Sequence, residues 1–257
     1  CEETMVLRHS DDYVEGYELL VLRKSEKADM LMDFASLSLK KGESWHSSSK
    51  DERAFLLAEG SAEIIVGKKV DWIGPGIEGF AKNDSVTIDL LPGGETKIRA
   101  SRTSLLDENP TVLHLPKETK VVIKALSERA LFYVSSTDNN MDFSPRLYLP
   151  YECRVEYRNE GTMQGTATRI VRTVFDKQTA PWSNLVLGED VNLPGRWSSY
   201  PPHHHPQPEI YHYRFFPTQG YGMTALGTEA YQLHNRDTLL ITGNKDHPQV
   251  AAPGYAM

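Results

Sequence analysis

Cysteine is nearly absent: the 257 residues include only Cys1 and Cys153. That excludes a disulfide framework and CxxC metal knuckles. Any metal site must be built from His, Asp and Glu, and a reducing cytoplasm is the expected compartment. Long apolar runs are missing too. No stretch approaches the ~18 apolar residues of a transmembrane helix, and no basic leader precedes an apolar core, so neither a membrane span nor a signal peptide is expected. Basic stripes are lacking. The net charge is −7, with Lys and Arg scattered, so nothing is placed to neutralise a phosphate backbone, and neither nucleic acid nor membrane is an expected partner. Helical periodicity is scarce. The chain opens on Cys1 with no methionine, and residues are expected to precede it.

What is present reads as β-structure. Short runs rich in Val, Ile, Leu, Tyr and Thr recur, among them Tyr17–Arg23, Ala54–Ala58, Ala62–Val66, Arg169–Phe175, Asn184–Leu187, Glu209–Phe215 and Thr238–Thr242. Turn residues punctuate them at Gly60, Gly67, Gly74-Pro75-Gly76, Pro92-Gly93-Gly94 and Pro194-Gly195. Many short strands between regular turn signals predict an all-β chain of sandwiches or barrels. The polar stretch Ser136–Tyr151, with Pro145 and Pro150, reads as a linker. It divides the chain into an N-terminal unit, residues 1–140, and a C-terminal unit, residues 141–257.

The two halves share a pattern. His203, His205 and Glu209 fall at relative positions 0, 2 and 6, and so do His46, Ser48 and Glu52, each set followed by an apolar strand. Downstream, Thr242-Gly-Asn244-Lys-Asp-His247 has a counterpart in Pro116-Lys-Glu118-Thr-Lys-Val121. This predicts an old duplication in which the second half keeps four metal ligands and the first keeps only His46 and Glu52, too few to hold a divalent ion. On a strand, residues i and i+2 face one side, so the His203 and His205 imidazoles converge. Pro206 and Pro208 cannot donate ladder hydrogen bonds, so a bend is expected before Glu209. His247 closes the site from a distant strand end. Imidazole and carboxylate suit a divalent metal ion, with Zn, Mn, Fe, Co and Ni all compatible.

These spacings resemble the two cupin motifs. His203, His205 and Glu209 match the first; Asp237 and His247 match the second, with Arg236, Thr242 and Asn244 in place of its glycine, proline and second glycine. A closer resemblance is carried by Gly195-Arg-Trp-Ser-Ser-Tyr-Pro-Pro-His203-His-His205, Glu209-Ile-Tyr-His-Tyr-Arg-Phe215 and His247-Pro-Gln-Val-Ala-Ala-Pro-Gly254-Tyr. They look like the 5-deoxyglucuronate isomerase family of inositol catabolism, related to 5-keto-4-deoxyuronate isomerase. The chain departs from that family in the short spacing between His205 and Glu209 and in His204, where lysine is usual. Family members continue past the Pro-Gly-Tyr segment, so further chain is expected beyond Met257.

The resemblance implies a bicupin, two jelly-roll-type β-barrels with a degenerate first barrel and the metal in the second. It implies a metal-dependent aldose–ketose isomerase acting on a sugar acid, with Zn or Mn as the first metals to consider. Tyr211 and Tyr213 share the parity of Glu209 and are the candidate catalytic groups, with Tyr200 and His204 as alternatives; a packing role competes for each. Arg196, Arg214 and Lys245 are the candidate partners of the substrate carboxylate. His114 and His212 read as structural. An iron cupin dioxygenase and a non-catalytic sugar-acid-binding cupin are the rival readings. A homo-oligomer is expected, because exposed sheet edges often pair.

Overall fold

The computed structural model describes residues 4–73 and 85–257. Cys1 and the expected turn Gly74-Pro75-Gly76 lie outside the described residues. In chain order the strands of the first half are β1 (Val6–Leu7), β2 (Gly16–Val21), β3 (Asp33–Lys40), β4 (Ser44–Ser47), β5 (Glu52–Val66), β6 (Val86–Leu90), β7 (Thr96–Arg102), β8 (Val112–Leu115), β9 (Val121–Ala125), β10 (Arg129–Thr137) and β11 (Arg146–Tyr148). The second half adds β12 (Arg154–Arg158), β13 (Arg169–Phe175), β14 (Leu187–Asn192), β15 (Trp197–Ser198), β16 (Glu209–His212), β17 (Tyr221–Leu226), β18 (Glu229–His234), β19 (Thr238–Ile241) and β20 (Gln249–Ala251). Among the described residues no helix is long and apolar enough to cross a membrane.

A single strand organises the first barrel. The runs Ala54–Ala58 and Ala62–Val66 are not separated by a turn at Gly60, as the sequence suggests; they are the two ends of β5. Before Gly60 the strand pairs with β10 and β8, and after it with β7 and β9. Gly60 has φ +84°, and a Cβ there would fall on the Arg129 carbonyl. Only glycine allows that bend and that close approach, so it turns a barrel corner without ending the strand. Alternation then sorts the side chains. Phe55 and Leu57 join Leu37, Ile64, Ile98, Leu113 and Ile123 inside the barrel. Ala54, Leu56 and Ala58 face outward, where they pack against Val174, Phe175, Ala180 and Leu185 of the second half.

The second barrel is built from β15-β20-β17-β18, β12-β13-β14 and β1-β19-β16. Its interior holds Val6, Tyr213, Phe215, Leu226, Leu233, Leu239 and Ile241. The outward side chains of the same strands, Ile210 and Leu240, pack on Val21, Met30 and Phe34 of the first half. Strand pairing crosses residue 140 in both directions: β1 adds to β19, and β11 adds to β8. The expected linker therefore contains a strand.

The interface is polar as well as apolar. Arg102 and Arg172, both buried, share Glu189. Arg236 is fully buried, stacks over Tyr13 at 3.8 Å, and donates to the Ser10 and Asp12 carbonyls and to Glu18. Glu52 is fully buried and accepts from His114 Nε2, Asn139 Nδ2, the Ser183 hydroxyl and the Asn184 N–H, tying the halves together.

That position of Glu52 corrects the repeat. Glu52 and the exposed His46 lie on outward faces, whereas Ser47 pairs with the core residue Val121 and Arg53 donates to Ser47 and to the Thr119 carbonyl. The structural counterparts of His203, Glu209 and His247 are therefore Ser47, Arg53 and Val121. A one-residue shift moves every side chain of a strand to the other face, so similar spacing pairs the wrong residues. The downstream half of the repeat stands: Glu118 and Asn244, which correspond, both adopt left-handed backbone, with φ of 60° and 66°. The first barrel carries a cation, Arg53, where the second carries a carboxylate.

Candidate active site

Two loops bring the ligand-type residues together. As the prolines require, the chain between β15 and β16 is irregular over residues 199–208, and regular strand resumes at Glu209. The loop between β19 and β20 docks on it: the Asn244 N–H donates to the His205 carbonyl at 2.8 Å. A Cβ at Gly243 would fall on the Pro206 carbonyl, so this residue must be glycine for the loops to meet. Asn244, standing in the motif's second glycine position, accepts its φ of 66° because a short polar side chain tolerates that region.

His205, Glu209 and His247 each direct a ligand atom to one point, all within 4.8 Å of one another. His205 Nε2 lies 3.3 Å from Glu209 Oε1, and His247 Nε2 lies 3.0 Å from Glu209 Oε2. His247 is buried, and its Nδ1 faces the Lys245 carbonyl at 2.9 Å. A carbonyl only accepts, so Nδ1 carries a proton. With Nε2 deprotonated, as metal binding requires, two acceptors face each other, and neither Glu209 Oε2 nor His247 Nε2 has another partner among the described residues. A divalent cation between them, or in its absence a second proton on Nε2, resolves that conflict, and a carbonyl-held imidazole is the usual support of a metal-binding histidine. The residues present fit a divalent ion. Burial works to raise the Glu209 carboxyl, but His247 and His205 outweigh it and hold it below the ordinary carboxylate value. Burial works to lower His247, and Glu209 with the Lys245 carbonyl outweighs it, so this imidazole binds its proton more tightly than usual.

His203 stands at the rim of this group. It is exposed, its Nδ1 faces the Pro201 carbonyl at 2.8 Å, and its ring meets the His247 ring edge-on at 5.3 Å between centroids. Tyr211 and Tyr213 face the interior with Glu209, and the Tyr211 ring centre is 6.1 Å from that of His247. Tyr213 is buried and donates to Gln249 Oε1. Burial, followed by the Glu209 and Asp190 carboxylates, pushes the Tyr211 hydroxyl well above the ordinary phenol value.

The arginine and lysine candidates are placed elsewhere. Arg214 alternates to the opposite face and donates to the Tyr13 and Tyr133 hydroxyls at 2.9 and 3.1 Å, between the halves. Arg196 donates to the Gly165 carbonyl at 2.7 Å. Lys245 contributes its carbonyl to His247, and the residue itself is exposed. His204 points outward to Asp246, and His234 lies beside Arg8 and Asp237. His212 and His114 are structural, one facing Thr238 and the other Glu52.

Two residues of the inner wall carry no motif and are missed by sequence reasoning. Arg169 opens β13, and Asp190 lies on β14; both sit on the face opposite the interface residues Arg172 and Glu189. Asp190 is exposed to solvent at the barrel mouth. The protein packed around its carboxyl, offset in part by Arg169 and Arg158, raises it above the ordinary carboxylate value. The available signal is a charged residue at each of these positions in strands that also bury Val171, Val174 and Val191.

Two β-barrels, the second with a His-Glu-His group fit for a divalent ion, define a bicupin. The chain belongs to the KduI/IolB family, whose pattern it matches over residues 6–257. It is 27% identical over 161 residues to the 5-deoxy-glucuronate isomerase of Geobacillus thermodenitrificans (strain NG80-2), an alignment covering 57% of this chain and 56% of that one. The chain thus spans little more than half the length of that relative. Among solved structures it is similar to an IolB-like protein from Salmonella typhimurium LT2, with a TM-score of 0.67 and 23% identity over 88% of this chain and 80% of the other. The oxalate decarboxylase of Lactobacillus farciminis, as its formate complex, has a TM-score of 0.64 at 10% identity, covering 100% of this chain and 86% of the other. At such identities these two structures speak for the fold.

Proposed function

We propose that this protein is a divalent-metal-dependent isomerase that converts 5-deoxy-D-glucuronate to 2-deoxy-5-keto-D-gluconate in myo-inositol breakdown, with Zn or Mn as its ion. The observation that carries the reading is the convergence of His205, Glu209 and His247 in the second barrel of a KduI/IolB family chain. The name of the Geobacillus relative supports the substrate. A divalent ion held by these residues, with His203 at its rim, would supply Lewis-acid polarisation of the carbonyl and the neighbouring hydroxyl.

The protein's own groups then have distinct tasks. The reaction removes a proton from C2 and returns one to C1, while a hydroxyl proton passes from O2 to O1. Asp190, which shares the inward face of β13 and β14 with Arg169, is the carboxylate we assign to carry the carbon-bound proton. Tyr211 stays protonated at its Oη and donates a hydrogen bond to the substrate oxygens. Tyr213, committed to Gln249, holds the wall behind it.

The test is proton NMR of 5-deoxyglucuronate in deuterium oxide with metal-loaded protein, beside a His205→Ala control. Conversion by the wild type alone, with deuterium entering at C1, is the expected result. No conversion with metal confirmed bound would sink the isomerase. Oxygen uptake in that case would identify a dioxygenase, and binding without product a sugar-acid-binding protein.

A further inference from the structure

The inner wall of the second barrel carries a buried cation, Arg169, that feels the Asp190 carboxylate without forming an ion pair with it. Arg169 is 5% exposed. Its Nη1 donates to the carbonyls of Ala167 and Tyr200, both at the long distance of 3.3 Å; its Nε is enclosed without a partner, as in the other buried arginines, and among the described residues nothing accepts from its Nη2. Among the described residues no carboxylate forms an ion pair with it. The buried arginines of the interface are different: Arg102 and Arg172 pair with Glu189, and Arg236 pairs with Glu18. Arg53 also lacks a carboxylate, but both of its terminal nitrogens are engaged, by Ser47 and the Thr119 carbonyl, and no ligand group stands beside it. A buried guanidinium without an anion in contact is costly, and a ligand that brings the anion would offset that cost.

The surroundings fix where that ligand lies. Arg169 faces the same interior as Asp190 and Tyr211, both of which act on it electrostatically. It holds the carbonyl of Tyr200, from which the chain runs directly to His203 and His205. We propose that Arg169 receives the carboxylate of the substrate on its terminal nitrogens, of which Nη2 is unengaged, while the carbonyl end of the same molecule faces His205, Glu209 and His247. This rests on the isomerase reading for the identity of the sugar acid, but the carboxylate preference stands apart from turnover. A planar fork matches a carboxylate in a way that an ammonium does not. Arg169 is thus a specificity-determining residue, selecting an acid over the neutral sugar of the same length.

The test uses the full metal-loaded chain, titrated by calorimetry with D-glucuronate and with D-glucose. The wild type should prefer glucuronate. Arg169→Gln should weaken glucuronate binding by roughly a hundredfold, as loss of one partner of a buried charge pair does, leave glucose binding within a few-fold, and retain the metal. Arg169→Lys, which keeps the charge and loses the fork, should lose part of the preference and serves if the glutamine variant does not fold. A wild type that binds both sugars equally or neither, a variant that keeps the wild-type preference, or one that sheds its metal would overturn the proposal. Arginine-dependent glucuronate binding without isomerisation of 5-deoxyglucuronate would instead sink the isomerase reading and leave the carboxylate site standing.

Discussion

Replacing Glu52 by alanine should destabilise the protein by about 4 kcal/mol. The carboxylate has four donors, and the cost depends on which of them find another acceptor. The Ser183 hydroxyl can turn to the Leu185 carbonyl at 3.0 Å, and Asn139 Nδ2 already reaches the Trp182 carbonyl at 2.8 Å. His114 Nε2 and the Asn184 N–H have no such alternative in the structure. Each buried donor left unsatisfied costs ~1–3 kcal/mol, which for the pair centres near 4. For a chain of this size ~1 kcal/mol moves the melting temperature by ~2–4 °C, so the alanine variant should melt about 12 °C lower. Glutamine should cost about half as much. Its amide nitrogen can face Ser183 and His114 while its oxygen keeps Asn139 and Asn184, provided His114 changes tautomer.

Acid supplies a second reading of the same contact. Burial alone would raise the Glu52 carboxyl, but its bonds from His114, Ser183, Asn139 and Asn184 prevail and hold it below the ordinary value. A carboxyl lowered in the folded state stabilises it above the unfolded value of ~4.3, and that contribution drains away as pH falls through the folded value. Guanidinium melts followed by tryptophan fluorescence, repeated from neutral pH down to acid, measure both effects. The glutamine variant should show the shallower acid limb. A penalty for alanine below about 1 kcal/mol, or an unchanged acid limb for glutamine, would refute the role of Glu52 as the anchor between the halves.

Two further outcomes bear on the metal group. The proton that His247 holds more tightly than usual must leave before Nε2 can bind an ion, so affinity should be full above the raised folded value and fall by about tenfold per pH unit below it, with one proton released per ion bound; competition with a chelator of known affinity across pH gives the slope, and a flat profile would remove His247 from the ligand set. Gly243→Ala should push the 243–244 loop off the Pro206 carbonyl and weaken metal binding by roughly ten- to a hundredfold, the usual cost of disturbing a supporting shell, measured by the same competition; unchanged affinity would mean the loops need not touch.

The fold and the ligand types are legible in the sequence because both rest on local signals. Strand composition, the prolines before Glu209 and the spacing of Asp237 to His247 are properties of a few neighbouring residues. Sequence misleads where two faces of a strand compete. The 0-2-6 pattern pairs His46 and Glu52 with His203 and Glu209, but spacing carries no information about which face is inward, and Ser47 with Arg53 hold the inward positions. Arg214 stands in a matched segment, yet its parity is that of His212, opposite to Glu209, Tyr211 and Tyr213. Parity counted from Glu209 along β16 is enough to exclude it. Arg169 and Asp190 are invisible for a different reason: they reach the inner wall only through the pairing of β13 with β14 and the packing of β14 beside β15, a long-range arrangement that no window of sequence contains. In a barrel of this kind the ligand-type residues are therefore readable from motifs, while the charged groups of the inner wall become readable only once the inward face of every strand is known.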